Sequence, residues 1–166
     1  MIRKAILSAT IALCLNTGAS VAGEITIGMA PNLQTLPVVV AMSEGYFAEE
    51  NIDLETVRFT SGRRALEALI GGQLDVAFMA EYPVSIASLR EQPFGTFTML
   101  SRYTANRMIS KASIGFTDPS SLSGKKIGTT KGSNTEFFTE ALIEQFGIDA
   151  EVINVSPPDI VPALAR

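Results

Sequence analysis

The chain reads as an α/β protein. Three observations lead there: strand-like and helical runs alternate between residues 24 and 90, the same order returns from residue 126, and residues 74–79 (LDVAFM) form a nearly unbroken apolar run. Alternation of the two element types marks a parallel sheet covered by helices, and an apolar strand suits its buried centre. With 166 residues, 46% hydrophobic and 18% charged, the chain can bury a core and is not a disordered segment.

Residues 24–30 (EITIGMA) alternate and are β-branched, and the break PNLQT at residues 31–35 separates them from an apolar helical stretch, residues 37–50. Gly45 lies late in that stretch, and Asn51 suits a carboxyl-terminal cap before the next strand, residues 53–59. Thr60, Ser61 and Gly62 then cap a helix over residues 63–70, whose Leu66, Leu69 and Ile70 share one face. Gly71 and Gly72 end it, LDVAFM follows as a core strand, and residues 83–90 form the next helix. Residues 97–103 and 108–116 read as two strands with no helix between them, a crossover. After the turn-rich residues 118–124 come a strand (126–130), the loop Lys131, Gly132, Ser133, a helix (134–146) and a strand (151–155).

This return is an internal repeat. Ile27-Gly28 recurs as Ile127-Gly128, the run opening at Ile52 recurs loosely at Ile148, and the helix around Leu66 has a counterpart in residues 161–165. The first copy continues into Gly71-Gly72 and its core strand. The second stops short of that point, so the expectation is one complete unit and a truncated one.

The amino terminus has the build of a secretory signal peptide. Arg3 and Lys4 precede an apolar run over residues 5–15, and small residues at Ser20 and Ala22 stand three and one positions before the expected cleavage after Ala22. Leu13 ahead of Cys14 disfavours a lipoprotein. The run is too short to span a bilayer, and no other stretch reaches the ~20 apolar residues a span requires. The expected divisions are residues 1–22 as leader, 23–103 as a first lobe, 104–117 as hinge or crossover, and 118–166 as a partial second lobe.

Composition excludes much chemistry. There is no histidine and only one cysteine, so zinc sites built from those residues and imidazole-dependent triads are ruled out. Thirteen basic residues against 17 acidic ones give a net charge of −4 without a basic block, which argues against nucleic acid. Removing the leader takes away the cysteine and two basic residues, leaving an acidic, thiol-free protein. Lys131-Gly132-Ser133 lacks the spacing of a phosphate loop, and no metal or cofactor is expected.

In open α/β sheets, ligands collect at the carboxyl ends of the parallel strands. That rule selects residues 31–35, 60–63, 80–83 and 131–135. Ser61-Gly62 and Gly132 to Thr135 lie at helix starts, where free N–H groups favour an anion or other acceptor; ordinary capping is the alternative. Glu81 and Tyr82 directly follow the apolar strand, poorly placed for packing and well placed for a crevice mouth, with Glu81 also suited to capping its helix. An acid there suits an amine or another hydrogen-bond donor. Arg63 and Arg64 either meet an anion or stay solvated, and Phe137 and Phe138 read as core.

Taken together, ITIGMAPN, EGYFAEENIDLE, FTSGRRALEALIGGQLDVAFMAEYP and LSGKKIGTTKGSNTEFF resemble the periplasmic solute-binding proteins of ABC importers, in the nitrate, sulfonate, taurine and thiamine-precursor group. The resemblance implies a two-lobed type II periplasmic binding protein, non-enzymatic and monomeric, holding a small ligand between its lobes. It implies an ABC permease and ATPase as partners, with the membrane reached only through the permease. Ligand contacts are expected at Asn32, Leu33, Gln34, Ser61, Gly62, Glu81, Tyr82, Ser133, Asn134 and Thr135. Family members are about twice this length, so the chain alone is expected to bind weakly or not at all. The rival readings are a pyrimidine-synthase-like enzyme, whose chemistry in that family leans on the missing histidine, and an extracytoplasmic sensor module, which would need an attached membrane span.

Overall fold

A computed structural model describes residues 23–104 and 106–165. The expected leader, with Cys14, lies outside the described residues.

Two parallel sheets carry the chain. In the larger, β1 (Glu24–Met29) is central, flanked by β2 (Asp53–Arg58) and β3 (Val76–Ala77). β1 aligns with β2 from Glu24↔Asp53 to Met29↔Arg58, and with β3 at Ile27↔Val76 and Gly28↔Ala77. The smaller sheet pairs β4 (Lys126–Thr129) with β5 (Glu151–Asn154), from Lys126↔Glu151 to Thr129↔Asn154.

The helices fall where the apolar spacing puts them, with two shifts. The long helix expected over residues 37–50 is two helices, α1 (Leu36–Ser43) and α2 (Tyr46–Glu49), because Gly45 sits at φ +80° and a left-handed residue ends a helix. Asn51, at φ 55°, occupies the left-handed position after α2, as its cap role requires. α3 (Gly62–Ile70) buries Ala65, Leu66 and Ala68. α4 (Glu81–Leu89) starts two residues earlier than expected, with Pro83 in its first turn, where a missing N–H costs no helical bond. α5 (Asn134–Phe146) ends at Gly147, φ +60°, and α6 (Ile160–Ala165) follows β5.

The crossover strands do not form. Residues 97–103 and 108–116 contain no strand, and their one regular piece is a 3-10 turn at Ala112–Ile114. An alternating sequence makes a strand only where a neighbouring backbone accepts its hydrogen bonds. No such edge meets this segment among the described residues, and Phe97, Met99, Met108 and Ile109 are left exposed. LDVAFM also shortens to the two residues of β3, although Asp75 and Phe78 continue the ladder through N–H bonds to Thr26 (3.1 Å) and Gly28 (2.9 Å).

The repeat is structural. Phe59 N–H donates to the Met29 carbonyl at 3.0 Å, and Val155 N–H donates to the Thr129 carbonyl at 2.8 Å. Gly28 and Gly128 sit at matching places. A Cβ on Gly28 would meet Leu74 Cδ1 at 2.3 Å and the Phe59 ring at 3.0 Å; on Gly128 it would meet Val155 Cγ2 at 3.1 Å. Ile27, Met29, Ala65, Leu66 and Leu74 are buried about the larger sheet, while Leu122, Ile127 and Ile148 form the core of the smaller.

Candidate functional site

The parallel register directs the loops after β1, β2 and β3 to one edge of the larger sheet, and the loop after β4 reaches the same crevice from the smaller sheet. Gly62 opens α3 flush against the backbone after β3: a Cβ there would stand 2.8 Å from Met79 Cα. Gly132, at φ +72°, lets the loop after β4 turn beneath Arg63, whose Cδ would lie 2.3 Å from an added Cβ.

Glu81, Tyr82 and Asn134 meet directly. Asn134 Nδ2 donates to Glu81 Oε2 at 2.8 Å, and Tyr82 N–H donates to Asn134 Oδ1 at 2.9 Å. Beside them the rings of Tyr82 and Phe137 stack with centroids 5.3 Å apart. The Glu81 carboxyl is held below the usual range, first by its own backbone N–H and then by the Asn134 amide. Glu81 is the first helical residue of α4 rather than its cap; the cap position belongs to Ala80.

Ser133 and Thr135 share a hydroxyl network. Their oxygens are 2.8 Å apart, Thr129 Oγ1 donates to Thr135 Oγ1 at 2.9 Å, and Ser133 Oγ donates to the Thr130 carbonyl at 2.5 Å. Ser133 therefore holds the cap position of α5 without accepting a helix N–H, while Glu136 reaches back to Gly132 N–H at 2.6 Å. Ser61 caps in the ordinary way, accepting Arg64 N–H at 3.4 Å. Arg63 and Arg64 both pair with Glu67, within α3 itself.

Residues 32–34 are placed at the sheet edge but are not joined to the other loops by any hydrogen bond described. Asn32 Oδ1 accepts Thr35 N–H at 3.2 Å, capping a 3-10 turn; Leu33 is exposed; the Gln34 carbonyl accepts from Ser101 Oγ at 3.3 Å.

A cavity of about 1480 Å³ opens between α4 and α5, with Glu81, Tyr82, Asn134 and Thr135 among its walls. Its apolar lining includes Phe137 and Phe138, which correct the expectation of two core phenylalanines: they are 47% and 53% exposed. Helical spacing marks an apolar face but does not say whether another layer covers it. Their signal in the sequence was adjacency, since residues 137 and 138 follow the candidate loop within one turn. Among the described residues, no group of three or more histidine, cysteine, aspartate or glutamate side chains is placed to hold a metal.

A parallel sheet with helices on its faces, repeated once and facing its strand ends into a shared crevice, is the type II periplasmic binding protein fold. The chain belongs to the NMT1/THI5-like family, which its residues 32–165 match. It is 25% identical over 150 residues to the taurine-binding periplasmic protein of Escherichia coli, covering 87% of this chain and 46% of that protein. It is 24% identical over 132 residues to the formylaminopyrimidine-binding protein of Halalkalibacterium halodurans, covering 80% of this chain and 40% of that protein. Its fold matches the alkanesulfonate-binding protein SsuA of Xanthomonas axonopodis, solved with MOPS, at a TM-score of 0.65 and 17% identity, over 86% of this chain and 50% of that one. The chain thus spans about half the length of the relatives it matches. No helix among the described residues is long and apolar enough to cross a membrane.

Proposed function

We propose that the chain carries the capture site of an exported solute-binding protein that feeds an ABC importer. A small organic solute is held in the crevice between the two sheets, without catalysis, and delivered to a membrane permease driven by an ATPase. The observation that supports this most is the meeting of Glu81 and Tyr82, from the larger sheet, with the start of α5, from the smaller. Strand ends and helix starts converge there in the manner of α/β ligand sites. The relatives are themselves binding proteins, two of them for taurine and formylaminopyrimidine, which agrees with capture rather than turnover.

In this reading the leader over residues 1–22 directs export to the periplasm. Residues 23–103 and 118–166 contribute the two walls, and residues 104–117 join them. Asn32, Leu33, Gln34, Ser61, Gly62, Glu81, Tyr82, Ser133, Asn134 and Thr135 border the solute. Glu81 offers a carboxylate to a donor nitrogen, the Ser61 and Ser133 turns offer donors to an anionic or carbonyl group, and Tyr82 with Phe137 offers an apolar wall. Affinity comes from hydrogen bonds made in a crevice emptied of water, and closure of one wall on the other completes them.

Calorimetry tests this on the full chain with taurine, alkanesulfonates, nitrate and aminopyrimidines. Any binding by this chain is expected to be weak, and Glu81→Ala should abolish it for an amine-bearing solute. Binding indifferent to Glu81 overturns the reading.

A further inference from the structure

We propose that Asn134 is a clasp between the two sheets, a positioning residue that caps α4 from the far side of the crevice. A helix start leaves its first N–H groups unpaired, and α4 has Ala80 at its cap position, a side chain that cannot accept a hydrogen bond. Asn134, 52 residues away from Tyr82, supplies what is missing: its Oδ1 accepts the Tyr82 N–H at 2.9 Å while its Nδ2 donates to Glu81 Oε2 at 2.8 Å. A single amide drawn from the other sheet thus satisfies one free backbone N–H of the first turn and holds the carboxylate beside it.

Two further contacts lie alongside. Tyr82 stacks on Phe137, one helical turn along α5 from Asn134, and the Arg63 side chain packs on Gly132. Both ends of the Asn134 amide are occupied, so this side chain sets the crevice wall and aims Glu81. The charged groups on the helices packed against α4 are Arg63, Arg64 and Glu67 on α3 and Glu136, Glu140 and Glu144 on α5, with Lys131 in the adjoining loop. Glu81 is the one carboxylate among them that Asn134 engages in a described hydrogen bond.

The consequence for Glu81 rests on the crevice being the solute site, but the clasp is testable with no solute present, so either idea can fail without the other. The experiment is site-resolved hydrogen exchange on the full chain, with small-angle scattering for overall dimensions. Asn134→Ala should speed Tyr82 amide exchange more than tenfold and enlarge the radius of gyration while the β1 amides keep their protection. Asn134→Asp should behave likewise at pH 7, where two carboxylates face each other, and regain protection near pH 4. The double variant E81Q/N134D exchanges donor for acceptor and should stay protected at pH 7. This rescue decides the matter even if Asn134→Ala fails to fold. Unchanged Tyr82 protection in folded Asn134→Ala, or a double variant as open as Asn134→Asp, overturns the clasp.

Discussion

Single side chains tie the turns of this protein to its strands. Asp75, just ahead of β3, takes both the backbone N–H of Thr26 at 2.9 Å and its hydroxyl at 2.6 Å on one oxygen, which fixes where β3 meets β1. The Thr26 hydroxyl and then its N–H hold the Asp75 carboxyl below the ordinary range. A carboxylate with a lowered folded pKa stabilises the fold above its unfolded value, and that contribution is lost as pH falls below about 4. Asp75→Asn should therefore lower the melting temperature at pH 7, with the gap to the parent closing toward pH 3 in thermal circular dichroism. A gap that persists in acid would show that the charge is not what matters. Arg63 illustrates a different tie: its guanidinium pairs with Glu67, which it shares with Arg64, while its stem covers Gly132.

At the scale of elements, local pattern and tertiary context divide the work. Strands β1, β2, β4 and β5 and helices α3 and α5 were legible because alternation, caps and glycine stops agree at residues such as Ser61, Gly62 and Gly71. The break between α1 and α2 was marked by Gly45 but masked by the apolar run around it. The segment from residue 97 to 116 misled for a physical reason: it reads as strand, yet a strand needs a partner edge, and that is not a local property. Phe137 and Phe138 misled in the same way, since spacing names a face without naming its cover. Of the candidate site, Glu81 with Tyr82 and Ser133 with Thr135 could be placed by the strand-end rule, whereas the bond from Asn134 to the start of α4 joins residues too far apart in sequence to foresee. The two sheets carry separate cores, so they should respond separately. Ile127→Ala empties the centre of the Leu122, Ile127 and Ile148 cluster and should cost about 2–5 kcal/mol there. Hydrogen exchange should then accelerate through β4 and β5 while β1 and β2 keep their protection. Equal acceleration in both sheets would mean that they unfold as one unit.

For the whole molecule, the central idea is that a twofold-repeated strand, loop and helix unit turns its strand ends toward one crevice. The larger sheet alone offers an acid and an aromatic, the smaller alone offers a hydroxyl-rich helix start, and in the proposed function the solute sits where they face each other. Amide chemical-shift mapping of the full, isotope-labelled chain during titration with taurine, an alkanesulfonate and an aminopyrimidine tests this most directly, because it locates even weak binding. The solute should move the amides of Ser61, Gly62, Glu81, Tyr82, Ser133 and Thr135 together, from both sheets at once. Shifts confined to one sheet, or centred away from these loops, would contradict it.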